Sequence, residues 1–182
     1  MPNKISASLF PAALLASAAL AADYKLGDGI AVQDVTYKDP HRGATLMKDA
    51  TLTFESVEEH ASVKNQLLTT DSHEIKANGK FVVVLYNAKN NAALKLDIYA
   101  LFFGGCSLVD DTGATYPISK VSGQFAQAMG RDMQGKRIEQ GETMRSCIAF
   151  EIPEGAEPKS LKLDLIGAMV SLSGGAPAPA AP

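Results

Sequence analysis

The chain has 182 residues, with 17 Lys and Arg against 20 Asp and Glu, a formal net charge of −3, and 46% hydrophobic residues. That balance offers none of the basic surface that nucleic acid requires, and the length suits one well-buried core rather than two domains. Beyond the first 22 residues no apolar run approaches the length of a membrane span.

Residues 1–21 read as a secretory signal peptide. Met1-Pro2-Asn3-Lys4 carries one positive charge, and Ile5 to Ala22 is a short apolar run rich in Ala, Leu and Ser. Ala19-Leu20-Ala21 supplies the small-x-small site of signal cleavage. The competing reading is a membrane anchor; Pro11 interrupts the run, which has only about the minimum spanning length of roughly 17 to 20 residues. No Cys lies near the site, which argues against lipid attachment. Cleavage after Ala21 leaves 182 − 21 = 161 residues and removes one charge, Lys4, giving 16 basic and 20 acidic residues, net −4.

Residues 22–173 form the expected domain. Gly29 to Tyr37 reads as a first strand, broken by loop residues from Asp39 to Gly43. Thr51 to Val57 alternates at first, with Leu52 and Phe54 on one face and Thr51, Thr53 and Glu55 on the other, the period of a half-buried strand. A weaker β segment spans Ala61 to Thr70. Lys80 to Tyr86 is a continuous run of apolar β-formers, suited to a central strand buried on both faces. Leu94, Leu96, Ile98 and Ala100 share parity and predict another strand. Cys106 to Asp110 and Ala114 to Tyr116, joined by Asp111-Thr112-Gly113, predict a hairpin.

Between Ile118 and Arg137 the pattern weakens. Gln124 to Met129 has room for a helical turn, but Gly123, Gly130 and Gly135 divide the stretch, which reads as a long, mobile connection. Thr143 to Ile152 is a strand with Met144, Ile148, Phe150 and Ile152 of one parity, stopped by Pro153. Leu161, Leu163 and Leu165 mark a last strand, continued by Met169 to Leu172. Residues 174–182, all Gly, Ala and Pro, have no core-forming side chain and read as a disordered tail. Short strands separated by turns, with little helical periodicity, predict an all-β, immunoglobulin-like sandwich of two antiparallel sheets. The Trp usual in antibody domains is absent.

Cys106 and Cys147 make an even pair, and an exported chain favours a disulfide between them. Such a bond closes a loop of about 41 residues, worth roughly 4 kcal/mol on the chain-entropy model. The alternative is two buried free thiols acting as small hydrophobes. Cys147 has the opposite parity to Ile148 and Phe150, so it faces either outward or into a second core layer.

In order along the chain stand Gly79 to Val84, Asn87 with Asn90-Asn91, Ser107 to Tyr116, Gly141 to Thr143 and Ala149 to Pro153. This order resembles a bacterial family, the telokin-like, immunoglobulin-fold domain of unknown function found in secreted proteins and lipoproteins. The resemblance covers about Ala50 to Leu165. It implies a β-sandwich on an exported protein, and it brings no catalytic residue, activity or cofactor with it. Two features depart from the pattern: the Cys pair and the long Ile118–Arg137 connection.

Candidate chemistry is sparse. His41, His60 and His73 stand apart, without the spacing of a zinc site. Met129 and Met133 have the spacing of one helical turn and offer two thioethers to Cu(I), an extracytoplasmic copper-handling alternative. Asp110 and Asp111 offer paired carboxylates, but lack the alternating oxygen ligands of a calcium loop and suit a turn better. Gly104-Gly105-Cys106-Ser107 resembles a nucleophile loop without a base beside the thiol. Arg131, Lys136, Arg137 and Arg145, mixed with Asp132, Glu139 and Glu142, form a charged stretch suited to an anionic or protein partner. The expectation is a non-enzymatic binding or interaction module of the envelope or extracellular space, without cofactor and without nucleic acid. Its partner is expected to be another exported protein, recognised through the Ile118–Arg137 connection.

Overall fold

The computed structural model describes residues 22–39, 43–47, 49–64, 73–103 and 105–173. The expected signal peptide, the Ala/Pro tail, His41 and the end of the Ala61–Thr70 segment lie outside these residues.

The chain builds a two-sheet β-sandwich. The first sheet contains β1 (Ala22–Lys25), β7 (Cys106–Asp110), β8 (Thr115–Pro117), β10 (Pro158–Leu163) and β11 (Ala168–Ser171), in the order β1-β11-β10-β7-β8. The second contains β2 (Gly29–Val32), β5 (Ala50–Lys64), β6 (Glu74–Asn90) and β9 (Thr143–Ile152), in the order β2-β5-β6-β9. A small hairpin, β3 (Val35–Asp39) with β4 (Gly43–Met47), stands apart from both. Among the described residues two short α-helices complete the fold, α1 (Tyr99–Phe103) and α2 (Ser122–Ala128).

Alternation places the core. Leu52 and Phe54 of β5, Val82, Val84, Tyr86 and Ala88 of β6, and Met144, Ile148, Phe150 and Ile152 of β9 project inward. They meet Leu108, Leu161, Leu163, Ala168 and Val170 of the first sheet. Tyr86 packs its ring 4.6 Å from that of Phe102, and Phe54 lies 6.2 Å from Tyr86, so three aromatic rings fill one end of the core. A bulge at Glu55 shifts the β5–β6 register between Phe54 and Ser56. This explains why strict alternation ends there: beyond it Val57 continues toward the core while Glu58 and His60 take the outer face.

Several expectations change. Gly29–Tyr37 is two strands, because Asp34 turns the chain with a left-handed φ of 50°. Leu94–Ala100 is not a strand. Leu96 makes a single bridge to Ile138, Leu94 is 69% exposed, and Asp97 accepts the Tyr99 amide at 3.0 Å to start α1. The buried Ile98, Leu101 and Phe102 then follow helical spacing. The last apolar segment divides at a 3₁₀ turn, Asp164–Ile166, closed by Gly167 in the left-handed region, into antiparallel β10 and β11. The first sheet is not wholly antiparallel, since β1 pairs with β11 in parallel.

Cys106 and Cys147 are not bonded. Both are buried free thiols, Cys106 in the core between the sheets and Cys147 in a second cluster on the outer side of the β2-β5-β6-β9 sheet. The odd parity of Cys147 in β9 places a sheet between it and the sandwich core.

Candidate functional site

The second cluster defines the region that sequence reasoning had singled out. The Ile118–Arg137 segment is not a mobile connection; it is built into the fold as a strap along β9. Phe81, Val83, Leu85, Cys147 and Ala149 make the outer face of the β2-β5-β6-β9 sheet apolar at one end, and α2 covers it with Phe125 and Ala126. The Phe125 ring lies 5.4 Å from Phe81, edge to face, and 5.3 Å from the His60 ring.

The strap also closes the free edge of β9. The Ser119 amide donates to the Ala149 carbonyl at 2.7 Å, and the Ala149 amide donates to the Ser122 hydroxyl at 2.9 Å. Asp132 donates its amide to the Arg145 carbonyl at 2.8 Å and accepts the Arg145 amide on its carboxylate at 3.1 Å. Gln134 donates its side-chain amide to the Cys147 carbonyl at 2.6 Å. Beyond it, Asn90, wholly buried, donates to the carbonyls of Leu94 and Ile138 and so ties the strap's end to the Leu94–Ile98 stretch.

The predicted cations fall into two groups. Arg131 pairs with Glu55 at 3.2 Å, and Glu55 also accepts the Asn87 side-chain amide at 2.6 Å. Lys136 lies between Asp132 at 3.0 Å and Glu142 at 2.8 Å. Burial works against the Asp132 carboxylate, but hydrogen bonds from Lys136 and the Arg145 amide outweigh it and hold the group below its ordinary range. Glu142 is lowered by Lys136, then by the Glu139 amide, while Glu142 and Asp132 raise Lys136. These five residues, Arg131, Glu55, Lys136, Asp132 and Glu142, therefore fasten the strap and largely neutralise one another. Arg137 and Arg145 are exposed and have no ion pair among the described residues.

Arg145 belongs to a second feature, the half of the outer sheet face that α2 leaves bare. Register places Thr53, Asn87 and Arg145 side by side across β5, β6 and β9, with Thr51, Lys89 and Thr143 in the next row. Strands are about 4.8 Å apart, so the six side chains form a flat grid of hydroxyls, an amide and two cations. Lys89 and Arg145 are exposed and diagonal to each other on it. Lys89 was not identified from sequence, although its parity with Asn87 and the alternation of β6 were available.

The other candidates resolve individually. Asp110 accepts from the Thr112 amide and hydroxyl, the Ala114 amide and the Tyr116 hydroxyl; the Thr112 hydroxyl leads in lowering its pKa, and burial opposes it. Its oxygens are thus engaged within the turn. Cys147 is wholly buried, and burial pushes its thiol up to about 12; burial also raises Cys106. Neither is a thiolate at neutral pH. His60 lies 3.2 Å from Glu58, and His73 is exposed. Met129 packs against the second cluster, whereas Met133 is 45% exposed. No group of three or more His, Cys, Asp or Glu able to hold a metal occurs among the described residues. Nor is any helix there long and apolar enough to cross a membrane. An open cleft of about 500 Å³ lies between Gln33-Asp34-Val35 and Leu165-Ile166, away from the strap.

No protein-family model matches the chain, and no curated protein is similar to it in sequence. Solved structures are similar in fold. An uncharacterised β-sandwich protein from Clostridium difficile superposes with a TM-score of 0.53 at 13% identity, covering 93% of this chain and 97% of that one. MPT63, a secreted protein from Mycobacterium tuberculosis, gives 0.50 at 16% identity over 80% of this chain and 91% of its own. A conserved hypothetical protein from Bacillus anthracis gives 0.50 at 15%, over 76% and 86%. At these identities the likeness is one of fold, and it places the chain among β-sandwich proteins.

Proposed function

We infer that the chain is an exported, non-enzymatic binding module of telokin-like, immunoglobulin type, and that it meets an acidic envelope or extracellular protein on the bare half of its outer sheet face. The observation that carries this reading is the grid of Thr51, Thr53, Asn87, Lys89, Thr143 and Arg145, in which both cations lack an intramolecular partner among the described residues. Hydroxyls flanked by cations without an ion pair favour carboxylate-bearing partners and steer their approach. Two observations support export: the charged start, apolar run and small-x-small site of residues 1–21, and a fold neighbour that is a secreted protein. The buried thiols offer no exposed cysteine nucleophile.

The test is retention of envelope proteins by the mature chain at low and high salt, beside an R145E/K89E double variant of matched stability. Loss of an acidic partner in the variant, and its release from the wild type by salt, is expected. Equal retention by both proteins would remove this face from consideration.

A further inference from the structure

We propose that Met133 is an oxidation site whose sulfoxide loosens the strap over Cys147. Among the described side chains Met133 is the most exposed methionine, 45% accessible, whereas Met144 is wholly buried and Met129 and Met169 are partly covered. Its place in the strap is structural as well. It stands between two anchors, Asp132 on the Arg145 backbone and Gln134 on the Cys147 carbonyl. Its methyl carbon lies 3.2 Å from where a Cβ on Gly123 would be, so the thioether rests on the bare backbone at the start of α2. Glycine is a poor helix former, and here it makes the room that Met133 occupies. The thioether is thus one link between the strap's later half and the helix that covers the second cluster.

The chemistry needs only a peroxide, an oxidant class met outside the cytoplasm. The sulfur lone pair attacks one peroxide oxygen, the O–O bond breaks, and the thioether becomes a sulfoxide. The leaving oxygen takes a proton and departs as water. A sulfoxide is polar and draws water, so it gives up the apolar contact with Gly123. The helix then opens more often above Cys147, whose sulfur lies 3.9 Å from the Ser122 carbonyl at the start of α2. Cys106, in the core between the sheets, does not share this opening.

The full chain would be treated with dilute hydrogen peroxide, quenched with catalase, and labelled with iodoacetamide under native conditions, with peptide mass spectrometry reading every Met and Cys. Met133 is expected to oxidise first. Cys147 then labels about fivefold faster, the factor that corresponds to about 1 kcal/mol, while Cys106 is unchanged. Methionine sulfoxide reductase restores the slow rate. An M133L variant, which keeps an apolar contact and forms no sulfoxide, shows no response of Cys147 to peroxide, and M133Q labels fast without it. Complete Met133 sulfoxide with an unchanged Cys147 rate would overturn the proposal. So would an equal response in M133L.

Discussion

Replacing Phe125 by Ala tests whether α2 is part of the fold or an ornament on it. The ring is 2% exposed and packs on Phe81 and His60. Withdrawing a phenyl group from water contributes about 2–3 kcal/mol, and an edge-to-face aromatic contact adds about 1 kcal/mol. The sum, about 3–4 kcal/mol, falls within the range seen for buried Phe→Ala changes and is a large share of a typical domain stability of about 5–15 kcal/mol. Urea denaturation should therefore show a lower midpoint for Phe125→Ala and an intermediate one for Phe125→Leu. Because α2 covers Cys147 and not Cys106, the loss should also be local: native-state alkylation accelerates at Cys147 well before Cys106 responds. A loss below about 1 kcal/mol, or equal acceleration at both thiols, would show that the helix contributes little and that the second cluster needs no cover.

Other outcomes follow from the same coordinates. Gly79→Ala would drive a methyl group into the Ile152–Glu154 backbone, 2.7 Å from the Glu154 amide nitrogen; thermal unfolding should show a loss of about 3 kcal/mol, the upper end for overpacking, and a neutral result would mean that β6 shifts freely there. The carboxylates of Asp132 and Glu142 have lowered pKa values in the fold, so their contribution is present above the ordinary carboxylate range and is lost as pH falls through their folded values. Asp132→Asn should accordingly destabilise the protein at pH 7 and make progressively less difference as pH falls below about 4, as measured by urea midpoints; a gap independent of pH would refute the charge-based anchoring. Thiol titration without reductant should find two thiols in denatured protein and almost none accessible in native protein; a count of zero after denaturation would restore the disulfide.

Much of the sandwich was legible because its strands obey simple rules. Leu52 and Phe54 alternate, Met144, Ile148, Phe150 and Ile152 share parity, and the Lys80–Tyr86 run is buried on both faces. A run apolar on both faces needs a second layer, which the parity of Cys147 also left open; what the residues did not show was that the Ile118–Arg137 stretch supplies it. The covering helix was obscure because it has seven residues, a single aromatic, a glycine at 123 and another at 130 just past its end, and too few turns for periodicity to register. Leu94–Ala100 misled for another reason. Period-two spacing and the i, i+3, i+4 spacing of Ile98, Leu101 and Phe102 overlap in a short apolar segment. The charges of residues 131–145 were visible as residue types, but the sequence does not tell which carboxylate meets a backbone amide. That pairing separates the fastening Lys136 from the free Arg145.

The strap along β9 bears on what happens when many copies of the chain meet. Ten residues reading Thr-Met-Arg-Ser-Cys-Ile-Ala-Phe-Glu-Ile, with no Pro or Gly and several β-formers, are the kind of segment that recruits its own copies into stacked cross-β ribbons once its hydrogen-bonding groups are bare. The side chains of Ser122, Asp132 and Gln134 and the single amides of Ser119 and Asp132 occupy those groups in place of a continuous strand, so the ladder is not extended outward. Variants that release the strap should then form fibrils while the sandwich itself still holds. Aggregation, rather than unfolding, would set the tolerance of this segment to substitution.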